Sequence, residues 1–280
     1  MKIKLFDFQK EAVTKALKSF YQLICVRVGG GKTLIAMFYA KILLQKGLSD
    51  KVIFACTVSA AAAVHAEFEE KLGIDVPVYT EEDEVMRFLK NPNLKIAIIK
   101  HSMFEKLGYN QTIINEIRAI LTKNNLNVAL VIDEAHKLSN DKGIAHTAYM
   151  NIKFMFNRIM IMTATPYSSC LTQLYGVIHL INPRCWKSKS EFSNKFIEEQ
   201  VIMQGGRVRR KEIIAYKNLG ELRKTIAPFT FFYYPKIKLN FIDHKVVLPD
   251  YKEYDEICKG VLTVKELERV EAGEAKKGVK

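Results

Sequence analysis

The apolar run Leu23-Ile24-Cys25-Val26 leads through Arg27-Val28 into Gly29-Gly30-Gly31-Lys32-Thr33, and then into the helical pattern Leu34-Ile35-Ala36-Met37-Phe38. This leaves the chain few folds. A glycine-rich turn between a buried strand and a helix is a phosphate cradle. The glycines let backbone N–H groups turn inward, and the helix N-terminus adds partial positive charge. Lys32 is placed to reach the β- and γ-phosphates of a nucleoside triphosphate, and the Thr33 hydroxyl to ligate Mg²⁺. The usual pattern is Gly-x-x-x-x-Gly-Lys-Thr, and Val26 stands where its first glycine would be. That is the least demanding position, because the phosphate-wrapping amides come later in the loop.

A second apolar run, Asn127-Val128-Ala129-Leu130-Val131-Ile132, reads as a strand buried on both faces and ends in Asp133-Glu134-Ala135-His136. Ligands bind at the carboxyl ends of such strands. Asp133 is expected to hold Mg²⁺ through its water shell, and Glu134 to orient and deprotonate an attacking water. A third run, Ile159-Met160-Ile161-Met162, ends in Thr163-Ala164-Thr165-Pro166. The Thr163 and Thr165 hydroxyls have no catalytic chemistry of their own but can relay hydrogen bonds from the acidic pair to a moving element.

In this order the three motifs resemble motifs I, II and III of superfamily 2 helicases and translocases. The resemblance implies further roles. Leu5 to Ala12 looks like the adenine-contacting entry segment, with Gln9 as the glutamine that reads the base. Thr57 and Ser59, in Phe54 to Ser59, look like motif Ia. Lys100, His101 and Ser102, in Ile98 to Phe104, look like motif Ib, and in the family both segments touch the phosphate backbone of one strand. His136 would couple the nucleotide site to Thr163 and Thr165. Within the superfamily the chain is most similar to the Swi/Snf-like group. Tyr216 to Arg223, then Ile226-Ala227-Pro228-Phe229 and Val247-Leu248-Pro249, mirror that group's segment between its lobes. An Arg-Arg pair usual there is replaced by Phe231-Phe232-Tyr233-Tyr234.

The resemblance implies an N-terminal RecA-like lobe that uses ATP and Mg²⁺ to move along DNA, double-stranded more than unwound. Two other readings stay open. One is a different superfamily 2 motor, such as a strand-separating repair helicase or a restriction-enzyme motor subunit. The other is an ATP-regulated DNA-binding or scaffold protein that does not translocate. A second RecA-like lobe needs about 150 residues, and 31 follow Pro249. Either this is part of a longer protein or another chain supplies that lobe. The lobe alone is expected to bind ATP and hydrolyse it poorly, because an arginine finger is worth on the order of 10³–10⁵ in rate in related enzymes.

The net charge is +13 and the pI about 9.4. Residues 1–150 carry 20 basic and 16 acidic side chains and residues 151–280 carry 23 and 14, so the excess lies outside the nucleotide-binding half. Such a balance attracts phosphate backbones, although general lysine richness gives the same count. The sharpest cluster is Arg207, Arg209, Arg210 and Lys211 after Gly205-Gly206, which reads equally as a hairpin finger onto DNA or as a solvated turn. The aromatic run Phe229 to Tyr234 reads as a strand between layers rather than a base-stacking platform. The five cysteines form no Cys-x-x-Cys pair, so a zinc site is not expected. With no signal-peptide pattern and no apolar stretch approaching 18 residues, the expected location is cytoplasmic or nuclear, with no membrane span.

The expected fold class is α/β, a doubly wound parallel sheet of the RecA-like P-loop NTPase type with a basic α+β insertion. Helices are expected near 8–20, 33–46, 59–71, 82–90, 110–124, 143–155, 168–181, 189–200 and 219–226. Strands are expected near 22–28, 51–56, 76–79, 95–100, 128–133, 158–163, 213–216 and 242–247. The expected organisation is a nucleotide-binding lobe over 1–183, a basic insertion packed on it over 184–235, and a connector toward a second lobe over 236–280.

Overall fold

Successive side chains of the central strands join two apolar cores in alternation, and this sets the architecture. Leu23, Cys25, Ile53, Ala55, Leu130, Ile132, Ile159 and Ile161 belong to one apolar core. Their neighbours Ile24, Val26, Val52, Phe54, Ala129, Val131, Met160 and Met162 belong to another. Successive strand side chains point to opposite faces, so a sheet with two apolar faces must be covered on both. The structure, a computed structural model, describes residues 3–167, 170–204 and 207–234.

Seven strands form the main sheet: β1 (Tyr21–Val26), β2 (Lys51–Cys56), β3 (Val78–Tyr79), β4 (Ile96–Lys100), β5 (Val128–Ile132), β6 (Arg158–Thr163) and β9 (Thr230–Tyr233). Their order is β3-β4-β2-β5-β6-β1-β9, and every pairing is parallel. α1 (Asp7–Lys18), α2 (Lys32–Gln45) and α3 (Val58–Leu72) cover one face. The other is covered by α4 (Glu82–Lys90), α5 (Ser102–Tyr109), α6 (Gln111–Lys123), α7 (Ile144–Ile152) and α8 (Thr172–Ile181). α2 buries Ile35, Ala36, Met37, Tyr39, Ala40 and Leu43. That apolar surface on nearly all sides suits a helix pressed into the core. The fold is the doubly wound α/β arrangement expected from the sequence, and the loops leaving the carboxyl ends of its strands lie where such sheets bind ligands.

The sequence reading differs from the structure in a few places. α5 lies directly after β4, where no helix was expected. The helix expected over 189–200 ends as α9 (Lys189–Phe196), and β7 (Ile197–Gln204) follows. β7 pairs antiparallel with β8 (Arg207–Tyr216), which starts six residues earlier than expected. A long partner strand outweighs the helix propensity of Glu198-Glu199-Gln200. α10 (Leu219–Ile226) falls where expected. β9, within the span expected as an insertion, pairs with β1 in the main sheet from Leu23↔Thr230 to Val26↔Tyr233. Phe231 is buried there and Phe232 exposed. The strand expected near 242–247, Val247-Leu248-Pro249 and the connector over 236–280 lie outside the described residues. Among the described residues no helix is long and apolar enough to cross a membrane.

α8 packs very close to the segment that follows β5. A Cβ built on Gly176 would collide with the Ser139 carbonyl, so the approach needs glycine. We expect Gly176→Ala to destabilise the protein by about 1–3 kcal/mol, the cost of overpacking, and a denaturant titration would measure it.

Candidate nucleotide site

Motif I is shaped by backbone geometry. Gly29 (φ +79) and Gly31 (φ +74) are left-handed, a region open to glycine at no steric cost. A Cβ on Gly30 would press on the Val26 side chain and the Arg27 carbonyl. Gly31 is the N-cap of α2, so Lys32 and Thr33 open that helix at its positive end. The loop is braced from α1. The buried Gln9 side chain donates from Nε2 to the Gly30 carbonyl (3.1 Å) and accepts at Oε1 from the Phe6 N–H (2.9 Å).

Motif II continues from β5. The Asp133 N–H extends the ladder to the Ala55 carbonyl (2.8 Å), and the Asp133 carboxylate accepts the Glu134 N–H (2.9 Å). Glu134 is itself left-handed (φ 49°, ψ 47°). This turns the two neighbouring carboxylates apart. It is also a costly conformation for a residue with a Cβ, of the kind that collects at functional sites. Burial, then the neighbouring Glu134 charge, push the Asp133 carboxyl above the usual carboxylate range, while Lys32 and His136 pull the other way.

The side chains of motifs I, II and III meet. Lys32 Nζ lies 3.8 Å from Glu134 Oε1, and Glu134 Oε2 lies 3.2 Å from His136 Nδ1. His136 Nδ1 is 3.3 Å from the Thr163 hydroxyl, which accepts the Thr165 N–H (3.1 Å). Thr163 is fully buried, so its hydroxyl depends on these partners. The residues expected to bind phosphate, activate water and couple the site therefore form one chain of polar contacts.

Of the residues of motifs Ia and Ib expected to contact a strand, Thr57, Ser59, Lys100 and Ser102 share a rim at the ends of β2 and β4, whereas the His101 ring turns inward with its Nε2 buried. Thr57 caps α3, and its hydroxyl lies 3.2 Å from that of Ser59. Lys100 ends β4, Ser102 opens α5, and the His101 N–H donates to the Cys56 carbonyl (2.9 Å). Arg207, Arg209, Arg210 and Lys211 lie on β8 in the separate two-stranded sheet. Their side chains are outside the description.

Sequence reasoning missed a histidine pair beneath motif II. His146 Nδ1–H donates to the Leu138 carbonyl (2.7 Å), so its Nε2 accepts from His179 Nδ1–H (3.0 Å). Isolated histidines on two helices give no spacing signal, and only the packing of α7 against α8 joins them. Burial lowers the proton affinity of His146, His179 and His101 below the ordinary histidine value of 6.5. The unfolded chain then binds more protons below that value, so the stability these groups contribute is present above pH 6.5 and lost as pH falls. We expect the melting temperature to drop between about pH 7 and pH 5, and less steeply in His146→Gln.

Among the described residues no group of three or more His, Cys, Asp and Glu could hold a metal ion. The half-buried Asp133 carboxylate at the end of β5 fits Mg²⁺, which is usually held by one or two carboxylates together with substrate phosphates.

The family model described as "DEAD/DEAH box helicase" matches residues 6–173. DNA repair and recombination protein RAD54B of Gallus gallus is 27% identical over 213 residues, covering 73% of this chain and 21% of that protein. Chromodomain-helicase-DNA-binding protein 7 of Homo sapiens is 24% identical over 248 residues, covering 80% of this chain and 8% of that one. The Sulfolobus solfataricus SWI2/SNF2 ATPase core, solved in complex with dsDNA, superposes with a TM-score of 0.61 at 18% identity, covering 85% of this chain and 46% of that one. The chain thus spans about a fifth or less of these two curated relatives and under half of the solved core. The chain belongs to the DEAD/DEAH box helicase family, and its fold is that of the N-terminal RecA-like lobe of a Swi/Snf-like ATPase core.

Proposed function

We propose that this chain is the ATP-binding lobe of a Swi/Snf-like motor that hydrolyses ATP to ADP and phosphate while moving along double-stranded DNA. The observation that carries the reading is the contact chain Lys32–Glu134–His136–Thr163, which joins all three motifs at the ends of β1, β5 and β6. The loop amides and Lys32 bind the triphosphate. Thr33 and Asp133 hold Mg²⁺, which when bound neutralises phosphate charge. Glu134 orients the attacking water and accepts its proton, and His136 passes the state of Glu134 to Thr163 and Thr165. The rim of Thr57, Ser59, Lys100 and Ser102 meets the phosphates of one strand, with the His101 ring packed behind it. A second RecA-like lobe, in the same or another chain, completes the site and supplies an arginine finger. The relatives, a DNA repair and recombination protein and a chromodomain-helicase-DNA-binding protein, and a solved core in complex with dsDNA support DNA as the partner. A cytoplasmic or nuclear location agrees with work on DNA.

The test is ATP turnover with and without double-stranded DNA. Slow basal turnover that rises with DNA once the second lobe is present supports a motor. DNA binding that ignores nucleotide state contradicts it, because a motor must couple the two.

A further inference from the structure

The candidate nucleotide site and the strand-facing rim both lie at the carboxyl ends of the sheet strands. A second concave surface lies at the amino ends, and neither of them uses it. It is an open cleft of about 760 Å³, within the range of about 300–1,000 Å³ usual for ligand sites. Residues 19–21 entering β1, 153–157 entering β6, 181–184 leaving α8 and 228–229 entering β9 build it. β1 is six residues long, so about 20 Å separates the cleft from the phosphate loop.

The chemistry of the cleft is one-sided. Phe156 and Ile181 are buried in its floor beside the half-buried Tyr21. On the rim Phe20 is 65% exposed, with the Arg158 guanidinium 5.0 Å from its ring. The charged groups are Lys153 and the exposed Arg184, and among the described residues no aspartate or glutamate lines the cleft. Lys153 Nζ donates to the Leu180 carbonyl (2.8 Å) and stands over the Tyr21 ring (5.4 Å). An ammonium has three donors, so this carbonyl leaves two. Burial lowers the Lys153 ammonium to about 8, as for a cation withdrawn from water without a counter-charge. Buried charges are normally paired. This one is left for a carboxylate from outside the lobe.

We propose that the cleft docks an acidic segment of a partner protein, with an aromatic or leucine side chain on the floor of Tyr21, Phe156 and Ile181 and a flanking carboxylate on Lys153 and Arg184. Exposed Phe20 and Pro228 extend the apolar surface beyond the cleft, farther than a small anion covers. Single-stranded nucleic acid is held along grooves of many cations, and this floor is apolar. The lobe therefore carries its partner without covering the nucleotide or the DNA.

The experiment is fluorescence anisotropy with short labelled peptides in which aspartates flank a central phenylalanine, leucine or alanine. Asparagine-flanked counterparts and a labelled thymidine oligonucleotide are the controls. Each is titrated with the unaltered chain, Lys153→Met and Arg184→Gln. The Leu180 carbonyl keeps the Tyr149 hydroxyl (3.1 Å) when Lys153 is changed, and Arg184 is exposed, so both variants should fold; melting curves check this. The expected result is saturable binding of the aspartate peptides with phenylalanine or leucine, and binding weaker by about tenfold or more with alanine or asparagine. Lys153→Met should weaken it by about ten- to a hundredfold, the worth of a hydrogen bond between charged groups, and Arg184→Gln by less. A non-hydrolysable ATP analogue should displace nothing. Failure of these peptides to bind, affinities unchanged in both variants, displacement by the analogue, or the oligonucleotide held through Lys153 in their place would overturn the proposal, and each leaves the nucleotide-site reading standing.

Discussion

Glu134→Gln should keep nucleotide binding and lose turnover by about two to four orders of magnitude, the usual worth of a positioned general base. Glutamine matches glutamate in shape, so the left-handed backbone at this residue and the Asp133 contact to its N–H need not change. What changes is charge. The amide cannot take a proton from water, and it gives up the ionic contact to Lys32 at 3.8 Å and the carboxylate that faces His136 Nδ1 at 3.2 Å. Lys32 is then free to turn wholly to the phosphates, so affinity should hold or rise. Phosphate release measured beside nucleotide affinity, in the same preparations, separates the two effects. Equal losses in both would mean that Glu134 shapes the pocket rather than acting on water.

Lys32→Ala should damage both quantities. The Lys32 side chain is only 10% exposed and opens α2, where its charge adds to that of the helix terminus. A hydrogen bond to a charged group contributes about 1.5–3 kcal/mol, so affinity should fall by about ten- to a hundredfold. Turnover at saturation should fall by a further factor of about 10²–10³, as when a preorganised donor to developing charge is removed. Lys32→Arg should not restore turnover, because a planar fork does not replace a compact ammonium in a glycine-lined loop. A titration and a saturation curve on each variant check both expectations.

The strands that carry the candidate nucleotide site were legible in the sequence because each is a buried apolar run ending in polar or glycine-rich residues: Gly29 to Thr33, Asp133-Glu134 and Thr163 to Pro166. A parallel strand covered on both faces must be apolar throughout, so its end is marked wherever polar residues return. Elements without that contrast were harder to read. α5 follows β4 with no break beyond Lys100-His101 and carries Gly108, a poor helix former. That glycine is required by packing, since a Cβ there would strike the Ala148 backbone. β7 opens with helix-forming glutamates and becomes a strand through its pairing with β8. The partners of Gln9 were also hidden, because an amide satisfies a backbone carbonyl as readily as a base edge. The Gly176–Ser139 approach and the His146–His179 pair exist only once the helices are packed.

The central claim is that the loops after β1 and β5 make one Mg²⁺-dependent nucleotide site. Its most direct test is calorimetric titration of a non-hydrolysable ATP analogue into the protein, with Mg²⁺ and then with the metal chelated, repeated on Asp133→Asn. Saturable binding of one nucleotide per chain, weakened by chelation in the unaltered protein and much less affected by it in Asp133→Asn, is the result predicted here. No binding, or binding equally indifferent to Mg²⁺ in both proteins, would contradict the account.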